Sequence, residues 1–249
     1  MTLTDPLALP PRNYARTAGV LYLIIAIFGG FAIGYVPSVI VVAGDAAATA
    51  ANLLANRALF GLGVLADVVV MLTEIALSVM LFVLFKPVSP TLSLVAMVSR
   101  LTMVAVMAVN LLIHIMPMVL LRGSGYLGIF APEQLQATAL IFIEAHGYGV
   151  YVWDMFFGCH LAVLGYLIFR SGYFPRLLGV AMMIGSPGYF LDGLVKVTFV
   201  SDPALAVMIV GLLVLASISE LAFAFWLLIK GPSVVARDRK LATPAMPRP

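Results

Sequence analysis

Residues 57–85 read RALFGLGVLADVVVMLTEIALSVMLFVLF, and this stretch decides the fold. It is almost entirely apolar, contains no proline, and exceeds the roughly 20 residues that a helix needs to cross the hydrocarbon core of a bilayer. Five further stretches of this kind occur, so the sequence predicts an all-α, polytopic membrane bundle of about six transmembrane helices. We place them at about residues 15–36, 57–85, 91–121, 142–169, 176–199 and 205–229.

The composition of the chain supports the same prediction. Hydrophobic residues make up 63% of the sequence and charged residues 10%, whereas an ordinary soluble domain has roughly 25% charged residues. The basic residues lie in short predicted loops and in the C-terminal tail, not on one folded face, which argues against nucleic-acid binding. The single cysteine, Cys159, excludes an intramolecular disulfide. The predicted partner is the lipid bilayer, and the sequence makes no prediction of oligomeric state.

Lysine and arginine residues predict the orientation, because loops rich in them stay in the cytoplasm. Of the 14 such residues, ten fall on the side of the two termini, three on the opposite side and one inside a span. We therefore expect both termini in the cytoplasm. The predicted organisation is a cytoplasmic N-terminal segment at 1–14, a six-helix transmembrane domain at 15–231 and a basic, disordered cytoplasmic tail at 232–249.

Ionisable residues inside the spans are candidates for function, because a charge at the bilayer centre costs roughly 2.5–3.5 kcal/mol on insertion scales. Glu74, Arg100, His160 and Glu220 each lie about 14–17 Å from the cytoplasmic end of their spans, close to the midplane. At this depth residues 185–188 read Gly-Ser-Pro-Gly, which predicts a break or kink in the fifth span. Such an arrangement is typical of a transporter binding site. The alternative is an ion-pair cluster that only holds the helices in register.

Asp67 and Asp154 belong to a second polar layer, about 16–19 residues from the same ends. Asp67 and Glu74 are seven residues apart and share one helix face, so the two layers together are compatible with a proton or cation path. The leading hypothesis is a small carrier or ligand-binding membrane protein. Its predicted ligand-binding residues are Arg100, Glu74, His160, Glu220, Asp154 and Asp67.

Histidines carry a second hypothesis, an intramembrane enzyme or redox protein. His114 and His146 are both predicted near the non-cytoplasmic surface and close to Glu144, where a haem or metal ion between them is geometrically possible. No cofactor is predicted from a motif, because G-x-S-x-G and H-E-x-x-H are both absent, and the sequence does not favour an enzyme. A third hypothesis is a structural or partner subunit that binds no ligand.

Four segments resemble a known family. They read ARTAGVLYLI at 15–24, LFVLFKPVSPTLSLVAMVSRL at 81–101, FFGCHLAVLGYLIFRSGYFPRLLGV at 156–180 and ELAFAFWLLIKG at 220–231. Together they resemble the bacterial "domain of unknown function 4386" family of multi-pass membrane proteins. The resemblance implies a location in the bacterial cytoplasmic (inner) membrane and brings no activity with it.

Overall fold

Every regular element in the described part of the chain is a helix. The computed structural model describes residues 12–123 and 125–232. The elements in chain order are α1 (Arg12–Gly29), a π-helical segment (Gly30–Tyr35), α2 (Val36–Ile40), α3 (Ala46–Ala55), α4 (Arg57–Phe85), α5 (Pro90–Leu121), a 3-10 turn (Gly125–Ile129), α6 (Pro132–Ser171), α7 (Arg176–Val197) and α8 (Pro203–Ile229).

Six of these stretches are long and apolar enough to cross a membrane. The first consists of α1, the π-helical segment and α2 together (Arg12–Ile40), and the others are α4, α5, α6, α7 and α8. The predicted all-α membrane bundle with six spans is therefore confirmed, and the protein is a multi-pass membrane protein. The orientation with both ends in the cytoplasm stays a prediction. Most of the predicted N-terminal segment and tail, residues 1–11 and 233–249, lies outside the described residues.

The six spans form a ring in chain order. Each span packs against the next, and α8 packs back against α1. The last contact is very close: a Cβ added to Gly19 would lie 2.8 Å from the backbone nitrogen of Leu228. Because helices in lipid gain little from apolar burial, such close approaches at small residues supply much of their packing.

The predicted break in the fifth span does not occur, since α7 is helical from Arg176 to Val197 with Pro187 inside it. The alternative, a kink at this place, stays a prediction. The glycines of α7 instead allow this helix to approach α8 closely. A Cβ on Gly185 would lie 2.6 Å from the backbone nitrogen of Ala216, and one on Gly188 would lie 2.7 Å from Leu212 Cβ. Close packing against α8 thus explains why glycines occur at residues 185 and 188.

The two ends of the bundle differ. At the terminal end, Arg12 Nη2 donates a hydrogen bond of 2.9 Å to the carbonyl of Ile229, so α1 begins where α8 finishes. At the other end, α3 lies across α6 and touches α4 and α5. Asp45 caps α3 by accepting from the Ala48 amide at 2.9 Å, and Asn52 Nδ2 donates to the Ile40 carbonyl at 3.3 Å. We call these the terminal end and the α3 end.

The ring is closed at the terminal end and looser at the α3 end. Between Arg12 and Gly29, span one packs against both α4 and α8. Beyond Gly29, the π-helical segment and α2 pack mainly on α4, and among the described residues they form no substantial contact with α8. The gap that results lies beside a cavity described below.

Candidate functional site

Arg100 is the centre of a buried polar network near the middle of the bundle. Its Nε donates to Glu74 Oε2, and its Nη1 donates to the Tyr22 hydroxyl at 3.3 Å and to His160 Nε2 at 2.9 Å. Only 1% of the Arg100 side chain is exposed. A guanidinium buried to this degree is stable only if its charge is paired and its N–H groups are bonded. Glu74 supplies the opposite charge.

His160 is held in one tautomer by its two neighbours. Its Nδ1 lies 2.8 Å from the Ala96 carbonyl oxygen, which can only accept, so Nδ1 carries the proton. Its Nε2 then accepts from Arg100, which can only donate. The network therefore contains a neutral imidazole on α6 that accepts a hydrogen bond from Arg100 Nη1.

Aromatic rings enclose the guanidinium on two sides. Arg100 Cζ lies 5.1 Å from the Tyr22 ring centroid and 5.7 Å from that of Phe157. Phe157 stacks in turn on Trp153, with centroids 4.9 Å apart. A cation over an aromatic face is attracted by the ring quadrupole, more strongly where water is excluded. The rings thus add to the stabilisation that Glu74 provides.

Glu220 stands in the next layer around this network. Tyr189 lies near its carboxylate and near Ser217. Glu220 Oε1 is buried without a hydrogen-bond partner, and no carboxylate oxygen of Glu220 comes within 4.0 Å of Arg100 in the described structure. Each of the six spans contributes one polar residue to this midplane cluster: Tyr22, Glu74, Arg100, His160, Tyr189 and Glu220.

The six residues predicted to bind a ligand separate into three groups. Arg100, Glu74 and His160 are in contact, with Glu220 nearby. Asp154 is buried and close enough to Asp192 on α7 to interact electrostatically. Asp67 pairs with a histidine instead, as described below. Ligand binding by these residues stays a prediction.

Free space near the midplane cluster is small. A cavity of about 30 Å³ is lined by both Asp67 and Glu74, together with Met107 and Trp153. This volume exceeds the roughly 10–15 Å³ that a cavity needs to hold one water molecule. In the described structure, that cavity can therefore admit a proton, a water molecule or a small ion, and no organic molecule.

A much larger cavity opens toward the α3 end. Its volume is about 610 Å³, which is within the roughly 300–1,000 Å³ of small-molecule sites. One wall is apolar and comes from span one. The opposite wall comes from α6, with Phe60 and His114 between them. The lining residues are Ile33, Val36, Pro37, Ile40, Val41, Phe60, His114, Ile143, Glu144, His146, Gly147, Tyr148, Val150 and Tyr151.

Asp67, His114 and His146 converge beside this cavity, which the two histidines line. His114 Nδ1 lies 3.2 Å from Asp67 Oδ2. The His146 ring stacks on the His114 ring, with centroids 3.9 Å apart. One ligand atom from each of the three residues lies within 4.8 Å of the other two, and His146 Nδ1 is buried without a partner. The predicted pair His114 and His146 therefore comes together, with Asp67 as a third member.

The position of His146 is set by Asn110, a polar residue of the same outer layer as Asp67 and Asp154. Asn110 Nδ2 donates to the His146 carbonyl at 2.9 Å, which fixes α6 against α5. Gly149, one turn further on, leaves space for that side chain, since a Cβ there would overlap the Asn110 amide. Asn110 lies four residues before His114 on α5 and is the sequence signal for this contact.

The three side chains form a group that could hold one metal ion. The 3.2 Å between His114 Nδ1 and Asp67 Oδ2 is a hydrogen-bond distance, and it is also close to the roughly 3.3 Å between two tetrahedral zinc ligands. Imidazole and carboxylate ligands together suit zinc, iron and related divalent ions. Glu144 lines the same cavity but lies outside the group of three. Stacked imidazoles 3.9 Å apart leave no space for a macrocycle between them, so the arrangement favours a single ion over a haem.

The fold and these two polar sites define a class: a multi-pass helical membrane protein with a buried charge cluster and a histidine-lined cavity. Within that class, the family described as "Domain of unknown function (DUF4386)" matches residues 17–231, and the chain belongs to it. The predicted family is thus confirmed. Location in a bacterial inner membrane stays a prediction.

Comparisons with individual proteins add one relative. A protein of Archaeoglobus fulgidus, described as an uncharacterized protein, is 29% identical over 163 residues, which cover 65% of this chain and 79% of the relative. No solved structure matches the chain. Function must therefore be argued from the two sites themselves.

Proposed function

We propose that this protein is a membrane-embedded metalloenzyme in which Asp67, His114 and His146 hold one divalent transition-metal ion. The observation that carries this proposal is the convergence of three ligand atoms within 4.8 Å of one another, two of them from histidines that line a cavity of about 610 Å³. A buried polar atom without a partner costs about 1–3 kcal/mol. A bound ion would supply that partner to His146 Nδ1, which has none.

The reaction class follows from the number of ligands. Three protein ligands leave one position of a tetrahedral zinc ion for water or substrate, the pattern of catalytic sites. His114 and His146 both line the cavity, so that position would face a bound molecule. A metal ion lowers the pKa of its bound water and makes it a nucleophile at neutral pH. We infer a hydrolase, because hydrolysis needs only water as the second reactant.

Metal analysis of the purified protein tests this function. After purification in mild detergent with zinc present and extensive dialysis, we expect about one equivalent of metal per chain. His114→Gln, His146→Gln and Asp67→Asn should each retain at least about tenfold less. Asp192→Asn, which removes a carboxylate outside the group, is the matched control and should retain the full equivalent.

Two results would reject the proposal. One is wild-type protein that is monodisperse and folded but retains no metal. The other is metal retention that the three ligand substitutions leave unchanged. Bound iron without zinc would keep the metal site and reject the hydrolytic assignment, since two histidines and a carboxylate also serve iron oxygenases.

A second candidate function has an observation of its own, the unpartnered Glu220 Oε1 beside the Arg100 network. We propose that the midplane cluster exchanges a proton or small cation, which would make the protein a small carrier. Two carboxylates, Glu74 and Glu220, stand near one guanidinium, so a proton or cation at Glu220 would balance the charge. The small volume of the nearby cavity is sufficient for a proton or a small cation.

Flux measurements in liposomes test the carrier function. Reconstituted wild-type protein should dissipate an imposed pH or sodium gradient faster than empty liposomes, and Glu220→Gln should abolish the difference. Glu133→Gln, at the exposed start of α6, is the control and should behave as wild type. Equal rates for wild-type and empty liposomes under both gradients would reject this function.

A further inference from the structure

The further inference concerns the substrate of the metal site, and it rests on the proposed function above. We propose that the substrate is an amphiphile taken from the lipid phase, with an apolar chain, a neutral or cationic head and an ester or amide carbonyl that is hydrolysed at the metal. Three features of the large cavity carry this inference: its access, its apolar wall and its charge.

Access to the cavity is from the side of the bundle. All its lining residues belong to spans one to four, and none of the described lining comes from α7 or α8. On that side the π-helical segment and α2 have no substantial contact with α8. Two lining residues, Ile33 and Tyr148, are 42% and 40% exposed. The space between span one and α8 is the route by which lipid would reach the cavity in this proposal.

The aqueous end is partly covered by α3. This helix packs on α6 and is tied back to the end of α2 through Asn52 and through Thr49, whose hydroxyl accepts from the Val42 amide at 3.0 Å. A molecule dissolved in the membrane therefore has the more direct route, and one dissolved in water must pass α3.

The apolar wall fits a hydrocarbon chain. Ile33, Val36, Pro37, Ile40 and Val41 follow one another along span one and present aliphatic surface to the cavity. The wall includes the π-helical segment, and such local widening of a helix often marks functional sites. Because a hydrocarbon chain is already in apolar surroundings in lipid, this wall would select chain length by contact and shape and not by removal from water.

Charge selects the head group. Among the described lining residues, Glu144 is acidic and none is lysine or arginine. A divalent ion held by Asp67 and the two histidines leaves that wall with one further carboxylate, at the exposed Glu144. The ion and Asp67 together leave one positive charge at the metal, where the carbonyl would bind. The head group would lie beyond it at Glu144, which repels an anionic head and can bond to a neutral or cationic one. We assign Glu144 as the residue that positions the head.

The chemical step balances with water alone. The oxygen of the metal-bound water bonds to the carbonyl carbon, and the bond from that carbon to the ester oxygen or amide nitrogen breaks. A proton from the water passes to the leaving alcohol or amine. The products are one carboxylic acid and one alcohol or amine, with no change of oxidation state.

A matched series of esters tests the inference on the zinc-loaded, full-length protein in detergent. Lauroylcholine, monolauroylglycerol and lauroylglycerol 3-phosphate share one acyl chain and carry cationic, neutral and anionic heads. Laurate release should be at least about tenfold faster, as kcat/KM, for the first two than for the third. Glu144→Gln should narrow this difference through KM and leave the metal content unchanged. A butyryl ester of glycerol should be hydrolysed far more slowly than the lauroyl ester.

The outcomes separate the two levels of the proposal. Absence of metal would reject the proposed function and the substrate inference together. Bound metal with metal-dependent hydrolysis of 4-nitrophenyl acetate, but no preference for lauroyl over butyryl esters, would reject the substrate inference alone. Preference for the anionic head would reject the role of Glu144. Bound zinc with no hydrolysis of any ester, nor of N-lauroylethanolamine, would reject the reaction while leaving the metal site.

Discussion

The His146 ring lies on the His114 ring, with their centroids 3.9 Å apart and their planes 28° from parallel. The two residues come from different spans, α5 and α6, and Asp67 from a third span lies 3.2 Å from His114 Nδ1. An ion bound there would link three helices at the α3 end, where the ring of spans is looser than at the terminal end. Metal binding should therefore be measurable as stability as well as occupancy.

Zinc should raise the thermal stability of the protein. A ligand that binds only the folded state stabilises it by about 2.7 kcal/mol at a concentration 100 times its Kd. We expect a higher Tm for wild type in zinc than after chelation, and no such difference for Asp67→Asn. Asp192→Asn should respond to zinc as wild type does, and an equal zinc response in Asp67→Asn would count against the three-residue site.

Breaking the Glu74–Arg100 pair should be strongly destabilising. Glu74→Ala leaves an unpaired buried guanidinium, which should cost about 3–5 kcal/mol. Replacing both residues by methionine should cost much less than that single change, because no charge then remains unpaired. Thermal unfolding in detergent compares the variants, and a double variant less stable than Glu74→Ala would contradict this account.

Gly19 should tolerate no side chain. A Cβ there meets the α8 backbone at 2.8 Å, so Gly19→Ala should push α1 from α8 and cost about 1–3 kcal/mol, as overpacking typically does. Gly61→Ala is the control, since a Cβ at Gly61 has no heavy atom within 4 Å. Equal Tm values for the two variants would show that α1 and α8 are not in close contact.

Cysteine labelling should decide the orientation. In a Cys159→Ala background, we expect Ser201→Cys, in the α7–α8 connection, to react with an impermeant maleimide on intact cells. Ser89→Cys, in the α4–α5 connection, should react only after permeabilisation, because it lies at the end that carries most of the positive charges. The reverse pattern would overturn the predicted orientation.

Helix depth could be predicted from the sequence, whereas helix neighbours could not. Counting 1.5 Å per residue from charged ends placed Glu74, Arg100 and His160 at one level, and they are in contact. The same counting placed Asp67 with the ligand-binding residues, but the structure pairs it with His114, 47 residues away. Counting residues gives the depth of a side chain in the membrane. Which side chain it contacts depends on the rotation of each helix and on the order of the six spans around the ring.

Uncharged partners were also missed. Tyr22 and Tyr189 belong to the midplane cluster, but a tyrosine in an apolar run resembles any other aromatic residue. Their position at the same depth as the charged residues is the signal that could have found them. The large cavity could not be predicted from the sequence, because it depends on the point along span one at which contact with α8 ends.

The change from α1 to the π-helical segment at Gly29–Gly30 divides span one mechanically. Residues before it are fixed between α4 and α8, with Tyr22 bound to Arg100. Residues 30–40 border α4 and the cavity. A displacement of residues 30–40 alone would widen the cavity for a large ligand. The buried ion pair and the Gly19 contact lie before this division, so one half of span one holds the helix in the bundle and the other half borders the cavity.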